Sequence, residues 1–110
     1  MYGIIRSPGI YSDKVERYEI NLYLTDNESF PFVLNQRVNY TMLIGTEQFI
    51  GGVRSTETSG SWISPDIYGV TNPSQRLRLS ELLLRYGFVK NEEVRIVYDV
   101  EKKELIILKK

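Results

Sequence analysis

Phe49-Ile-Gly-Gly-Val-Arg-Ser-Thr-Glu-Thr-Ser-Gly-Ser-Trp-Ile-Ser-Pro65 is the stretch on which the reading of this 110-residue chain turns. Two apolar runs, Phe49–Val53 and Trp62–Ile63, flank a loop in which nearly every side chain from Arg54 to Ser61 can donate or accept a hydrogen bond. The flanks have the residues of buried strands, and Gly51-Gly52 predicts a bulge or a close backbone approach. A polar finger on a rigid hairpin has the chemistry to read base edges. Arginine pairs bidentately with guanine, an acid accepts from cytosine N4, and Ser or Thr serves base edges or phosphates. A solvated hairpin tip has the same composition, so the rest of the chain must decide.

Immediately before this stretch, Val38, Tyr40, Met42 and Ile44 alternate with Asn39, Thr41 and Leu43. Gly45-Thr46-Glu47 then links them to Gln48–Val53, which predicts a hairpin. Further back, Tyr18, Ile20, Leu22 and Leu24 occupy one face of a period-two strand, with Glu19, Asn21 and Tyr23 on the other. Tyr2–Arg6 is a short apolar strand that the turn signal Ser7-Pro8-Gly9 should end. Pro31 demotes Phe30–Leu34 to an edge or covering segment.

After the finger, Ser64–Gln75 carries Pro65, Gly69 and Pro73 and is expected to be an irregular connection. Ser80 is a good N-cap for a helix of two turns at most, with Glu81 in its first turn and Gly87 as its αL stop. Val94, Ile96 and Tyr98 open a strand, Asp99–Lys103 turns the chain, and Leu105–Leu108 returns. The tally is about seven strands and one short helix, the spacing of a small barrel or sandwich.

Composition narrows the chemistry. The length fits one domain spanning 1–110, large enough for a core without staples. There is no cysteine or histidine, which removes thiolate sites, the commonest general base and the commonest transition-metal ligand. Fourteen basic and fourteen acidic residues balance, so any nucleic-acid binding needs a local basic patch. No apolar run reaches the roughly 18–20 residues of a membrane span, and the start lacks a secretory pattern, so a soluble cytoplasmic protein is expected.

One enzymatic pattern is present: Pro65-Asp66, followed much later by Glu101-Lys102-Lys103, matches the loose signature of Mg²⁺-dependent nucleases. That chemistry needs Glu101 and Lys103 on a strand beside Asp66. The Asp99–Glu104 stretch reads instead as a charged hairpin turn, so no catalytic residue, metal or cofactor is assigned. Tyr18, Tyr40 and Tyr98 could stack bases but fit core positions better.

From Tyr40 onward the order of elements resembles the B3-like DNA-binding pseudobarrel. That family includes plant transcription-factor domains and the effector or recognition domains of restriction endonucleases of the EcoRII and BfiI type. The matching residues are the hairpin Tyr40–Val53, the loop Arg54–Ser61 and Ser61-Trp-Ile-Ser-Pro. They continue with Ser80-Glu-Leu-Leu-Leu-Arg-Tyr-Gly-Phe, the strand introduced by Val89-Lys-Asn-Glu-Glu-Val-Arg-Ile, and a terminal hairpin. The helix-to-strand portion is shared with AbrB-like dimeric barrels.

The resemblance implies a mostly β, seven-stranded open pseudobarrel with one short helix. It also implies a monomeric, prokaryotic, non-catalytic reader of double-stranded DNA, of a kind that can be linked to a nuclease domain. Such a domain grips the major groove with two arms. The C-arm would use Arg54, Ser55, Thr56, Glu57, Thr58 and Trp62. The N-arm, placed at Arg6–Asn21, would use Arg6, Ser12, Asp13, Lys14, Arg17 and Asn21. A competing N-arm at Thr25–Arg37 would use Asn35, Gln36 and Arg37. Rival readings are a protein-interaction barrel with an exposed strand edge, the AbrB-like dimer, and the nuclease of Asp66, Glu101 and Lys103.

Overall fold

Alternation of apolar and polar residues becomes nine strands and one helix in the computed structural model, which describes residues 1–110. In chain order they are β1 (Tyr2–Ile10), β2 (Glu16–Tyr23), β3 (Arg37–Ile44), β4 (Glu47–Thr56), β5 (Gly60–Ile63), β6 (Asp66–Tyr68) and β7 (Arg76–Arg78). The helix α1 (Leu79–Arg85), β8 (Glu93–Asp99) and β9 (Glu104–Lys109) complete the chain. Around the ring the order is β1-β2-β5-β4-β3-β9-β8, and β8 returns to pair with β1. Every neighbour is antiparallel except β3 and β9.

The ring is therefore a closed seven-stranded barrel, not the open pseudobarrel expected. The difference lies in β3, which pairs along its whole length with β4 on one side and over Thr41–Ile44 with β9 on the other. Closure removes the unpaired edge that an open sheet leaves. The extra strands β6 and β7 form a small hairpin outside the ring, attached to β4 at Ile50 and Tyr68. They arise within the span expected to be irregular.

Inward-facing residues fill the barrel: Ile5, Ile20, Met42, Ile44, Phe49 and Ile63 are among its fully buried side chains. The helix closes one end with Leu79, Leu82 and Leu83. The other end is covered by Phe30, which packs on Phe32, Tyr40 and Tyr98 with ring centroids 4.8, 5.7 and 5.1 Å away. Phe30–Leu34 is thus a lid segment, as its proline implied. At the same end the Met1 ammonium sits 2.5 Å from Glu28. That ammonium, with the Thr25 hydroxyl, pulls the Glu28 carboxyl down to about 2.

Local turn and cap signals are followed at some positions and overridden at others. Ser7-Pro8-Gly9 does not end β1. Pairing with β8 covers only Tyr2–Ile4, so Pro8 meets no neighbour needing its N–H, and a register shift between Arg6 and Gly9 absorbs it as a bulge. Ser80 is not the N-cap: β7 runs straight into the helix, Arg78 holds the cap position in extended conformation, and the Pro65 carbonyl accepts from Leu79 N–H. The Ser80 hydroxyl is buried without a partner. Gly87 does end the helix. At φ +81° it donates to the Leu84 carbonyl while Phe88 donates to that of Leu83, the paired bonds of a Schellman motif.

Candidate functional site

On the outer surface of the barrel, strand register sets a row of side chains running across five strands. Ile4 lies opposite Asn21, Asn21 opposite Trp62, Trp62 opposite Arg54, and Arg54 opposite Arg37. Alternation puts Arg17, Glu19 and Tyr23 on the same outer side of β2, with Tyr18, Ile20 and Leu22 turned into the core. Tyr2 and Tyr23, also opposed, stack at 5.2 Å. Half-buried Trp62, the chain's one tryptophan, is the ridge of this face.

A cleft lies on each side of that ridge. The first, of about 340 Å³, is bounded by Pro8, Arg17, Glu19, Asn21, Ser59 and Trp62. The second, of about 270 Å³, lies between Trp62 and Arg54, Thr56, Asn35 and Gln36. Asn35 is held there by its N–H, which donates to the Ser55 carbonyl at 2.7 Å. Residues of the competing N-arm thus join the C-arm.

Three arginines of this face are free of ion pairs. Six ion pairs engage Arg78, Arg85, Lys90, Lys109, Lys110 and the Met1 ammonium. Arg17, Arg37 and Arg54 take part in none of them. Arg37 lies over Gly52, where a Cβ would come 2.2 Å from its Nε, and donates to the Asp66 carbonyl at 3.0 Å. Burial, with the nearby Arg54 charge, lowers the Arg37 guanidinium from its ordinary value against the pull of Tyr68 and Asp66. Arg17 has a buried Nε without a partner, and desolvation raises Glu19 above the usual carboxylate range against the Arg17 charge.

The predicted arms are placed differently from each other. The β1–β2 tip lies beyond Ile10 and Glu16, whereas the β4–β5 tip lies beyond Thr56 and Gly60, past the Tyr23 end of β2. The two tips leave opposite ends of β2, while Pro8 of the first hairpin and Ser59 of the second border the same cleft.

The N-arm tip is also tied down. Arg78 Cζ stacks 3.9 Å from the Tyr11 ring centre, and its NH1 donates to Asp13 at 2.8 Å. Tyr11 in turn donates to Asp66 at 3.3 Å. Asp13 is thereby committed to the fold, while Ser12 and Lys14 stay exposed at the tip. Arg6 donates to Asn91 at 2.8 Å.

In the C-arm, Arg54, Glu57 and Thr58 are exposed. Ser55 is not: it faces inward, and its hydroxyl shares a 2.8 Å hydrogen bond with Ser61, so it braces the hairpin instead of facing a ligand. The Thr56 hydroxyl accepts from Ser59 N–H, which shapes the tip. Of the twelve expected contacts, the structure gathers Arg17, Asn21, Arg54, Thr56 and Trp62 around the clefts, with buried Ser55 at the floor of the second. Glu19 borders the first cleft but is not among the twelve, although its place on the outer face of β2 is readable from the alternation.

The nuclease residues do not meet. Asp66 on β6 is three strand spacings from the β8–β9 turn holding Glu101 and Lys103, on the order of 14 Å around the sheet. No three acidic side chains come together in a metal-binding group. No helix is long and apolar enough to cross a membrane. No protein-family model, curated protein or solved structure matches this chain.

Proposed function

We propose that this chain recognises double-stranded DNA through the outer face of β1, β2, β5, β4 and the start of β3, with the β4–β5 hairpin entering the major groove. The observation that carries the reading is the pair Arg37 and Arg54. Their strands place them directly opposite each other, beside Trp62, and neither has a carboxylate in ion-pair range. Like charges opposed across a ladder are destabilising, and a bound phosphate relieves that repulsion. A two-stranded ribbon fits the major groove, where Arg54 can reach a guanine edge and Glu57 a cytosine N4. A duplex running along β2 would pass both hairpins in succession.

The balanced net charge puts the burden of binding on a local patch, here the opposed Arg37 and Arg54, which form no ion pair. Binding should still be salt-sensitive, since released counterions supply much of the affinity. The resemblance to B3-like domains extends the proposal to a monomeric target-sensing module of a prokaryotic restriction endonuclease, with cleavage left to a separate domain.

Selection from a random duplex pool at low salt tests it. An enriched motif is expected, and Arg54→Ala should weaken binding to that motif by about 1–3 kcal/mol. Failure to enrich any sequence, or equal affinity of Arg54→Ala for every duplex, overturns the assignment.

A further inference from the structure

The cleft on the β2 side of Trp62 brings together Arg17, Glu19 and Asn21, and no side-chain hydrogen bond within the protein engages any of the three. Some other carboxylates are matched to cations, Glu16 with Lys90, Glu47 with Arg85 and Glu92 with Lys109, and Glu19 has no such partner although a cation lies beside it. Arg17 and Glu19 are two residues apart on one face of β2, yet they form no ion pair. The Arg17 Nε is buried and unpartnered, an arrangement that leaves a desolvation cost unless a ligand accepts from it. Desolvation of the Glu19 carboxyl adds the same demand from the acceptor side. Trp62 supplies an apolar wall beside these groups.

The geometry points to a site for one unstacked guanine nucleotide, its base against Trp62 and its Watson–Crick edge toward Glu19. A carboxylate only accepts, and guanine is the base that offers two adjacent donors, N1–H and the N2 amino group. Its O6 acceptor is then available to Arg17 or to the Asn21 amide. Cytosine and adenine offer a carboxylate one amino group, and thymine sets a single N–H between two carbonyls that repel it. Stacking on an aromatic wall is indifferent to base identity, so selectivity must come from Glu19. This site deepens the duplex-binding reading: in that setting the guanine would be extrahelical, as in enzymes that turn a base out of the stack.

Two kinds of source share this chemistry, a free nucleotide and an unpaired guanine within DNA. Trp62 reports directly, because quenching of the only tryptophan signals occupancy of its cleft. Titrations of the intact chain with dGMP, dCMP, dAMP and dTMP should show dGMP binding at least about tenfold more tightly than dTMP. Glu19→Gln should abolish that preference while leaving the folding transition in place, because the side chain lies outside the core. Glu101→Gln, in the remote β8–β9 turn, should leave the preference intact.

A parallel arm compares a fully paired duplex with the same duplex carrying one bulged guanine. Tighter binding of the bulged form by wild type, lost in Glu19→Gln, places the site within DNA recognition. Preference for dGMP without duplex binding keeps the cleft and removes the duplex reading. Duplex binding with no response to any nucleotide or to the bulge keeps the duplex reading and overturns the cleft. Equal quenching by all four nucleotides, or a preference that survives Glu19→Gln, also overturns it.

Discussion

The hairpins β1–β2 and β4–β5 carry similar residue types and use them in opposite ways. At the β1–β2 tip, Tyr11, Asp13, Arg78 and Asp66 satisfy one another through stacking, an ion pair and a hydrogen bond. Along β4–β5, Arg54 and Trp62 face outward beside Arg37, and no ion pair restrains either arginine. Polar groups that satisfy each other hold a fold, as at the first tip. On the second hairpin the Arg54 guanidinium is exposed and has no such partner, which is why the proposed reading puts more weight there than on the first.

The largest effect tests whether the two hairpins share one foundation. Ile63 at the root of β5 is fully buried and lies opposite Ile20 of β2 and Val53 of β4. Ile63→Ala should destabilise the domain by about 2–5 kcal/mol through lost burial and a cavity. Urea unfolding should show one transition, since β2 belongs to both hairpins. Two separated transitions would mean that the hairpins unfold independently.

The pinned tip predicts a smaller, local loss. Tyr11→Ala removes a stacked guanidinium contact and a hydrogen bond to Asp66, together about 1–2 kcal/mol. Hydrogen exchange should accelerate over residues 11–15 and remain unchanged over 57–59. Acceleration at both tips would break the distinction drawn between them.

The same pin should respond to acid. The Arg78 hydrogen bond, then that from Val15 N–H, holds Asp13 below the usual carboxylate range. A depressed folded value contributes stability above the unfolded value, near 3.8 to 3.9, and loses it as pH falls through the folded one. Heteronuclear NOE values at 11–15 should therefore drop as pH is lowered from about 5 to about 3, with Asp13→Asn already low at the upper end. A tip equally ordered across that window would show that stacking alone holds it.

How much of this was legible follows from which signals are local. Strand faces could be read because period two depends on neighbours alone: Tyr18, Ile20 and Leu22 turn inward as their alternation requires. Gly51-Gly52 signalled a bulge or a close backbone approach, but the β3–β4 register runs through it unbroken and the crowding comes from side chains, Arg37 over Gly52 and Met42 beside Gly51. The Ser7-Pro8-Gly9 signal misled because its meaning depends on whether β8 extends alongside β1, a long-range fact. Ser80 failed as a cap because β7 feeds the helix without a turn. The candidate face was half visible, with the outward residues of β2 readable in sequence and their opposition to Trp62 and Arg54 fixed only by register.

The smallest effect separates the role of Arg54 most cleanly. Arg54→Glu would place a carboxylate directly opposite Arg37 in the β3–β4 ladder. Like charges opposed on a sheet destabilise and opposite charges stabilise, by about 0.2–1 kcal/mol. The variant should therefore unfold at slightly higher denaturant than wild type while losing duplex binding. A residue kept for the fold could not be replaced by its opposite charge with a gain in stability. If the variant is less stable than wild type, Arg54 supports the hairpin and its exposure is incidental. If it is more stable and still binds the duplex, the two opposed arginines are not what holds the phosphate.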